Sequence, residues 1–245
     1  RDHVQQVGHE QFDLVIMNPP FTRHGAHEGD RTEVHNPAFA AFGASEEEQD
    51  LLSGHLRTLS RGGHGHGHAG MASFFTDLAH RKASPGGTLA LVLPLTAMSG
   101  ASWEAIRTLW RDSYVAPMIV TISGGGNFNR SFSADTGMAE CLFVGKKKLP
   151  GQSLNHRATF IILRSQPSNT LEGEQIAHAI SKIMASGTIR TLEGGPYGGT
   201  RIIVGDAFYG EIIDAPLPTE GAWQMVGFND ISLGQTAHQL SHGRL

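Results

Sequence analysis

The chain has 245 residues, 39% hydrophobic and 7% aromatic, with 31 glycines and a formal charge of −4. That is enough chain for one good core plus an appendage, and no apolar run reaches the length that spans a membrane. The single cysteine, Cys141, excludes an internal disulfide and a cysteine-rich zinc site; without a charged-then-apolar leader, the expected compartment is the cytoplasm.

The first ten residues are polar. Phe12, Leu14, Val15, Ile16 and Met17 then make a short apolar run. Its length and β-branched content predict a buried strand. Pro19 and Pro20 cannot donate to a sheet ladder, so the strand should end at Asn18. In an open parallel sheet, ligands bind just beyond the carboxyl ends of the strands. There Asn18-Pro19-Pro20-Phe21 offers a side-chain amide, carbonyls fixed by rigid rings, and an aromatic face. The plainer alternative is a turn between strand and loop, where Asn-Pro is common.

Residues 22–50 read as a charged loop with several histidines. Ser45 ahead of Glu46-Glu47-Glu48 looks like an N-cap with acids in the first turn. The helix it opens should run from about Glu46 to Leu59, with Leu51, Leu52, Leu56 and Leu59 at helical spacing. Gly65, Gly67 and Gly70 spell G-x-G-x-x-G, but a helical pattern precedes them and no acid follows over Thr88–Gly100. They are therefore rejected as a nucleotide cradle. His64, His66 and His68 could meet a stray metal from an extended loop. A hinge loop near the site is the preferred reading, and no metal site is expected.

Met71–Lys82 is an amphipathic helix stopped by Ser84-Pro85-Gly86-Gly87. Thr88–Leu93 is a second buried strand ending in Pro94. Helix, Pro-Gly-Gly, strand and Pro form half of a parallel crossover. Ser102–Asp112 reads as a helix, Met118–Ser123 as a third strand, Gly124–Thr136 as a loop, and Met138–Val144 as a fourth strand ended by Lys146-Lys147-Lys148. Those lysines are a candidate phosphate contact or simply a charged strand end. Arg23, Arg31, Arg57 and Arg61 are candidates to line a cleft for a polyanion. Beyond Pro150-Gly151, Ala158–Arg164 reads as a strand and Leu171–Ala185 as an amphipathic helix. Arg201–Val204 is another strand, and Trp223, Val226 and Phe228 mark another edge or a docking segment. No Walker A motif and no nucleophile elbow is present.

Asn18-Pro19-Pro20-Phe21, placed after a Phe-Asp-apolar strand, resembles the catalytic loop of the S-adenosylmethionine-dependent N6-adenine DNA methyltransferases. The resemblance is strongest to the methylation subunits or domains of restriction–modification systems. It implies roles. A purine's exocyclic amine is a poor nucleophile. The Asn18 amide oxygen and the Pro19 carbonyl would accept its two N–H bonds and point its lone pair at a sulfonium methyl. Pro20 would stiffen the loop, and Phe21 would stack on a base flipped out of the duplex. Asp2 matches an acid that binds the cofactor's adenine amine; a frayed, solvated terminal Asp is the equal alternative. Phe132, with Phe128 as second choice, matches an aromatic that completes the target-base pocket, or is an ordinary loop anchor. The family's last strand runs antiparallel beside the one matched by Met118–Ser123.

The resemblance implies an α/β, Rossmann-like methyltransferase sheet with a C-terminal α+β extension. Residues 1–148 would be the target-base half of the catalytic domain, and 149–245 a connector toward a DNA-recognition domain. S-adenosyl-L-methionine is the implied cofactor. Double-stranded DNA and a specificity or restriction subunit are the implied partners, with no membrane. The family's Gly-rich methionine loop and ribose acid find no match. The chain is therefore expected to be an excised segment, inactive by itself and weak in cofactor binding. An RNA or protein-glutamine acceptor, or a non-catalytic binding module, remains the alternative.

Overall fold

The structure is a computed structural model and describes residues 8–21, 45–59, 61–123, 130–133, 138–194, 197–228 and 230–242. Seven strands form one mixed sheet in the order β1-β2-β4-β3-β5-β7-β6, flanked by helices, so the chain is α/β as expected. β1 (Phe12–Met17) stops where the prolines require. It pairs in parallel with β2 (Ala83–Pro94) and lies at the end of the strand order. The expectation of a buried strand is corrected here. Val15 and Met17 pack on the core, whereas Phe12, Leu14 and Ile16 are 43%, 55% and 70% exposed. An apolar run does not by itself say how many faces are covered.

Helix α1 (Glu46–Leu59) has the predicted bounds. Ser45 Oγ accepts the Glu48 N–H at 3.2 Å and the Ser45 N–H donates to Glu48 Oε2 at 3.4 Å, which is a reciprocal capping box. Helix α2 (Met71–Lys82) also has its predicted bounds. The Pro-Gly-Gly stretch after it is not a separate turn. It lies inside β2 as an irregularity, where the register passes from Phe12↔Ala83 to Leu14↔Thr88. Gly86 sits at φ 79°, and a Cβ on Gly87 would stand 2.8 Å from the Phe12 carbonyl oxygen.

After a helical turn at Thr96–Ser99, α3 (Glu104–Ser113) leads into β3 (Tyr114–Ile122). β4 (Glu140–Lys147) lies between β2 and β3, antiparallel to both. This is the placement that the resemblance implied for the last strand. β5 (Arg157–Leu163) continues the sheet parallel to β3. Helix α4 (Thr170–Ser186) follows, capped by Asn169, whose side chain accepts the Glu172 N–H. β6 (Thr200–Val204) and β7 (Ala207–Pro216) form an antiparallel pair, and β7 joins β5. Helix α5 (Ile231–Ser241) closes the fold. β7 and α5 were not foreseen. Gly210 and the acids Glu211 and Asp214 break the apolar alternation of β7, and α5 is polar with Gly234 near its start.

Alternate residues of β5 join different apolar clusters: Phe160 and Ile162 one, Ile161 and Leu163 the other. The clusters therefore lie on opposite faces of the sheet. The larger contains Trp103, Trp110, Phe143 and Trp223, with Trp110 stacked on Phe143 at 4.2 Å between centroids. The smaller lies under α4, around Ile122, Ile176 and Ile212. The predicted docking of the Trp223 segment holds. The Trp223 N–H donates to the Met98 carbonyl at 2.8 Å. Buried Arg107 donates to the carbonyls of Ala97, Gly100 and Gly221 at 2.8–3.0 Å. Among the described residues no helix is long and apolar enough to cross a membrane.

Candidate active site

β1, β2, β3 and β5 run in one direction, because β4 is antiparallel to both β2 and β3 and the other two pairings are parallel. Their carboxyl ends share one edge of the sheet. The Asn18–Phe21 loop leaves β1 at that edge. Asn18 is exposed, Pro19 is buried, and Pro20 and Phe21 are half-buried. Phe21 packs against the larger core cluster. An exposed amide beside a buried proline is a polar group presented from a fixed backbone, which limits the orientation entropy lost when it binds.

The loop between β3 and β4 meets the same edge. There the structure shows a residue that the sequence reading missed. Glu140, the first residue of β4, is 1% exposed. Its Oε2 accepts the N–H groups of Phe132 and Ser133 at 2.7 and 2.8 Å, and its own N–H donates to the Arg130 carbonyl at 2.9 Å. Its Oε1 is buried with no hydrogen-bond partner among the described residues. A lone acid ahead of the apolar Cys141–Val144 run was the available signal, since a carboxylate so placed can gather the backbone N–H groups of an adjoining loop.

Phe132 is half-buried and is held further by Gln166, whose Nε2 donates to its carbonyl at 2.8 Å. It packs against the smaller cluster, so Phe21 and Phe132 belong to apolar clusters on opposite faces. Asp2 and Phe128 lie outside the described residues, as do Arg23 and Arg31.

Other sequence candidates have structural duties. Lys147 is 9% exposed, with its ammonium on Glu10 Oε1 at 3.0 Å and on the carbonyls of His80 and Ala83 at 3.1 and 3.0 Å. It is therefore withdrawn as a phosphate contact. The glycine string fits a loop pressed on α2, since a Cβ at Gly65 would come within 3.0 Å of the Phe74 Cα. His64 pairs with buried Asp77 at 3.1 Å, and the His66 N–H donates to Ser73 Oγ at 2.9 Å. Arg57 donates to Ser53 Oγ at 3.3 Å. Burial pushes the Cys141 thiol well above its usual range, so it is held as the unreactive thiol. A cavity of about 400 Å³ lies between the sheet and α5, lined by Phe160, Leu192, Trp223, Met225 and His238 among others. The Asn18–Phe21 loop does not line it.

No protein-family model matches the chain, and no curated protein matches its sequence. Among solved structures it is similar to a modification subunit assigned to a type I restriction enzyme from Vibrio vulnificus YJ016, with 14% identity and a TM-score of 0.43 over 73% of this chain and 33% of that one. It is similar to the methyltransferase subunit of a type I restriction-modification system from Streptococcus thermophilus, with 19% identity and a TM-score of 0.38 over 71% of this chain and 32% of that one. It is also similar to a chain of a DrdV–DNA complex, with 13% identity and a TM-score of 0.40 over 65% of this chain and 15% of that one. The chain thus spans a third or less of the length of these proteins.

Proposed function

We propose that the chain is the target-base part of an S-adenosylmethionine-dependent DNA adenine-N6 methyltransferase of a restriction–modification system. The observation that carries the reading is the exposed Asn18 side chain, set by a buried Pro19 at the carboxyl end of a parallel strand. Asn18 Oδ1 accepts one N–H of the adenine amine and the Pro19 carbonyl accepts the other. Pro20 keeps that carbonyl from turning away. With both protons engaged, the nitrogen pyramidalises and its lone pair leaves the ring's conjugation. The cofactor supplies a methyl on a sulfonium. Transfer of that methyl to the amine would leave the S–C electron pair on sulfur and release one amine proton to solvent. Phe21 offers the flipped base a stacking face; Phe132, anchored on the opposite face, is the candidate second wall only for a base that sits over the strand ends. Asp2 is the candidate for the cofactor's adenine.

In this reading residues 1–148 handle the base, and residues 149–245 lengthen the same sheet toward DNA recognition and partner subunits. The test is an acceptor comparison, in which the methylation-competent protein is incubated with methyl-labelled donor and duplex DNA, RNA or a glutamine-bearing protein. Label should accumulate at N6 of adenine in the duplex. Label on RNA or on a glutamine amide instead overturns the DNA assignment, and no transfer to any acceptor favours a binding module.

A further inference from the structure

Most described arginines spend their guanidinium groups on the protein itself. Arg107 donates to three carbonyls, Arg111 to Asp112, Arg157 to Glu193 and Asp214, and Arg190 to the carbonyls of Tyr197 and Gly198. Arg164 and Arg201 differ. Both are exposed, and both guanidinium carbons lie 4.5 Å from the centroid of the Phe208 ring. Among the described residues neither guanidinium makes an ion pair. Glu211 lies near enough to feel both charges, but burial and Asp230 push its carboxyl above the usual range. Glu211 and Asp230 thus stand near the two arginines, but neither guanidinium is ion-paired to them.

Two like charges gathered on one ring repel each other, and their planar donor forks face water. Stacking limits the rotamers that a ligand would otherwise have to freeze. Arg201 also lines a groove of about 370 Å³ between α4 and β6, together with Gln175, His178, Lys182 and the turn at Gly205. No described lining residue of that groove is acidic. Forked, pre-ordered cations beside an acid-free groove fit a phosphodiester chain.

The topology fixes where that chain would run. Arg164 follows β5 directly, as Asn18 follows β1, and both strands end at the same edge. Four strand spacings separate them along the order β1-β2-β4-β3-β5, roughly 19 Å at about 4.8 Å each. At about 3.4 Å per nucleotide step, that is a reach of roughly six base pairs. We propose that Arg164 and Arg201, stacked on Phe208, grip two backbone phosphates of duplex DNA, Arg164 about half a helical turn from the adenine held at Asn18 and Arg201 farther along. The inference rests on the adenine reading only for that distance; the phosphate contact itself stands on the arginines.

The test is the salt dependence of binding of a short fluorescent duplex to the chain, comparing the unsubstituted protein with the Arg164→Gln/Arg201→Gln pair and with Asn18→Ala. Each phosphate contact contributes about −0.9 to the slope of log K against log salt. The double variant should therefore bind more weakly, with a slope shallower by about 1.8. Asn18→Ala should keep the original slope. Phe208→Leu, which keeps both charges and removes the ring, should weaken binding with a smaller change in slope. Unchanged slope and affinity in a double variant whose melting temperature is unaltered would overturn the proposal, as would a parent chain that shows no salt-dependent binding. If Asn18→Ala in the methylation-competent protein still methylates adenine while the double variant of the chain loses its slope, the adenine reading falls and the phosphate contact stands.

Discussion

In the methylation-competent protein, Asn18→Ala lowers methyl transfer by roughly 10²–10³-fold while the methyl donor still binds; that is the scale of losing one pre-organised dipole aimed at developing charge. The expectation follows from the placement of the side chain. Asn18 is exposed, so its removal leaves no cavity and takes no packing from the core. A loss of activity therefore reports chemistry rather than folding. The Pro19 carbonyl survives the substitution and still accepts one N–H, which is why the loss is not larger. Asn18→Asp keeps an acceptor oxygen and should retain more activity than the alanine. Single-turnover rates and donor binding, measured separately, check this. Near-normal turnover in Asn18→Ala removes the amide from the mechanism.

Acid costs the fold up to about 3 kcal/mol through His80, less what water screens at a half-buried ring. Burial first, and then the Lys147 ammonium, lower its pKa from 6.5 to about 4. Its Nδ1 lies 3.1 Å from the Tyr114 hydroxyl. In the unfolded chain the ring takes up a proton below about pH 6.5, whereas in the fold it stays neutral down to about pH 4. Between those values the unfolded state binds more protons. Stability contributed by the neutral ring is therefore present above pH 6.5 and is lost as pH falls toward 4. Urea unfolding at pH 7 and at pH 4.5 should show the drop, and His80→Gln, which cannot titrate, should flatten it. Equal pH profiles for parent and variant would contradict the assignment.

Punctuation made parts of this fold legible. Pro19 and Pro20 end β1, Ser45 with Glu48 starts α1, and both α1 and α2 occupy their predicted spans. In these cases local backbone chemistry decides the outcome. β7 was illegible because its pairing with β5 and β6 sets it against its own composition. Gly210 is there because the Ile162 carbonyl oxygen would lie 2.2 Å from a Cβ, a contact visible only after folding. Exposure was the other gap. The β1 sequence states that the run is apolar, yet only its neighbours determine that Leu14 and Ile16 face outward.

For the candidate site, the loop's residue types were readable and its supports were not. Asn18 to Phe21 stand together in sequence, so one motif carries them. Glu140 reaches back to Phe132 and Ser133 across a loop, and nothing in local spacing announces that bond. Lys147 misled for the same reason. A lysine run at a strand end suggests solvent, but β4 lies between two other strands and turns that one ammonium inward onto Glu10 and two carbonyls.

The central claim is that an adenine leaves its helix and docks on the Asn18 loop. The most direct measurement is photocrosslinking with duplexes whose adenines carry a photoreactive group, followed by mass spectrometry of the crosslinked peptides. The account predicts adducts on the peptide spanning Asn18–Phe21, lost when the base is locked in its pair by an interstrand crosslink. Adducts found only on other segments, or unchanged by that lock, would contradict it.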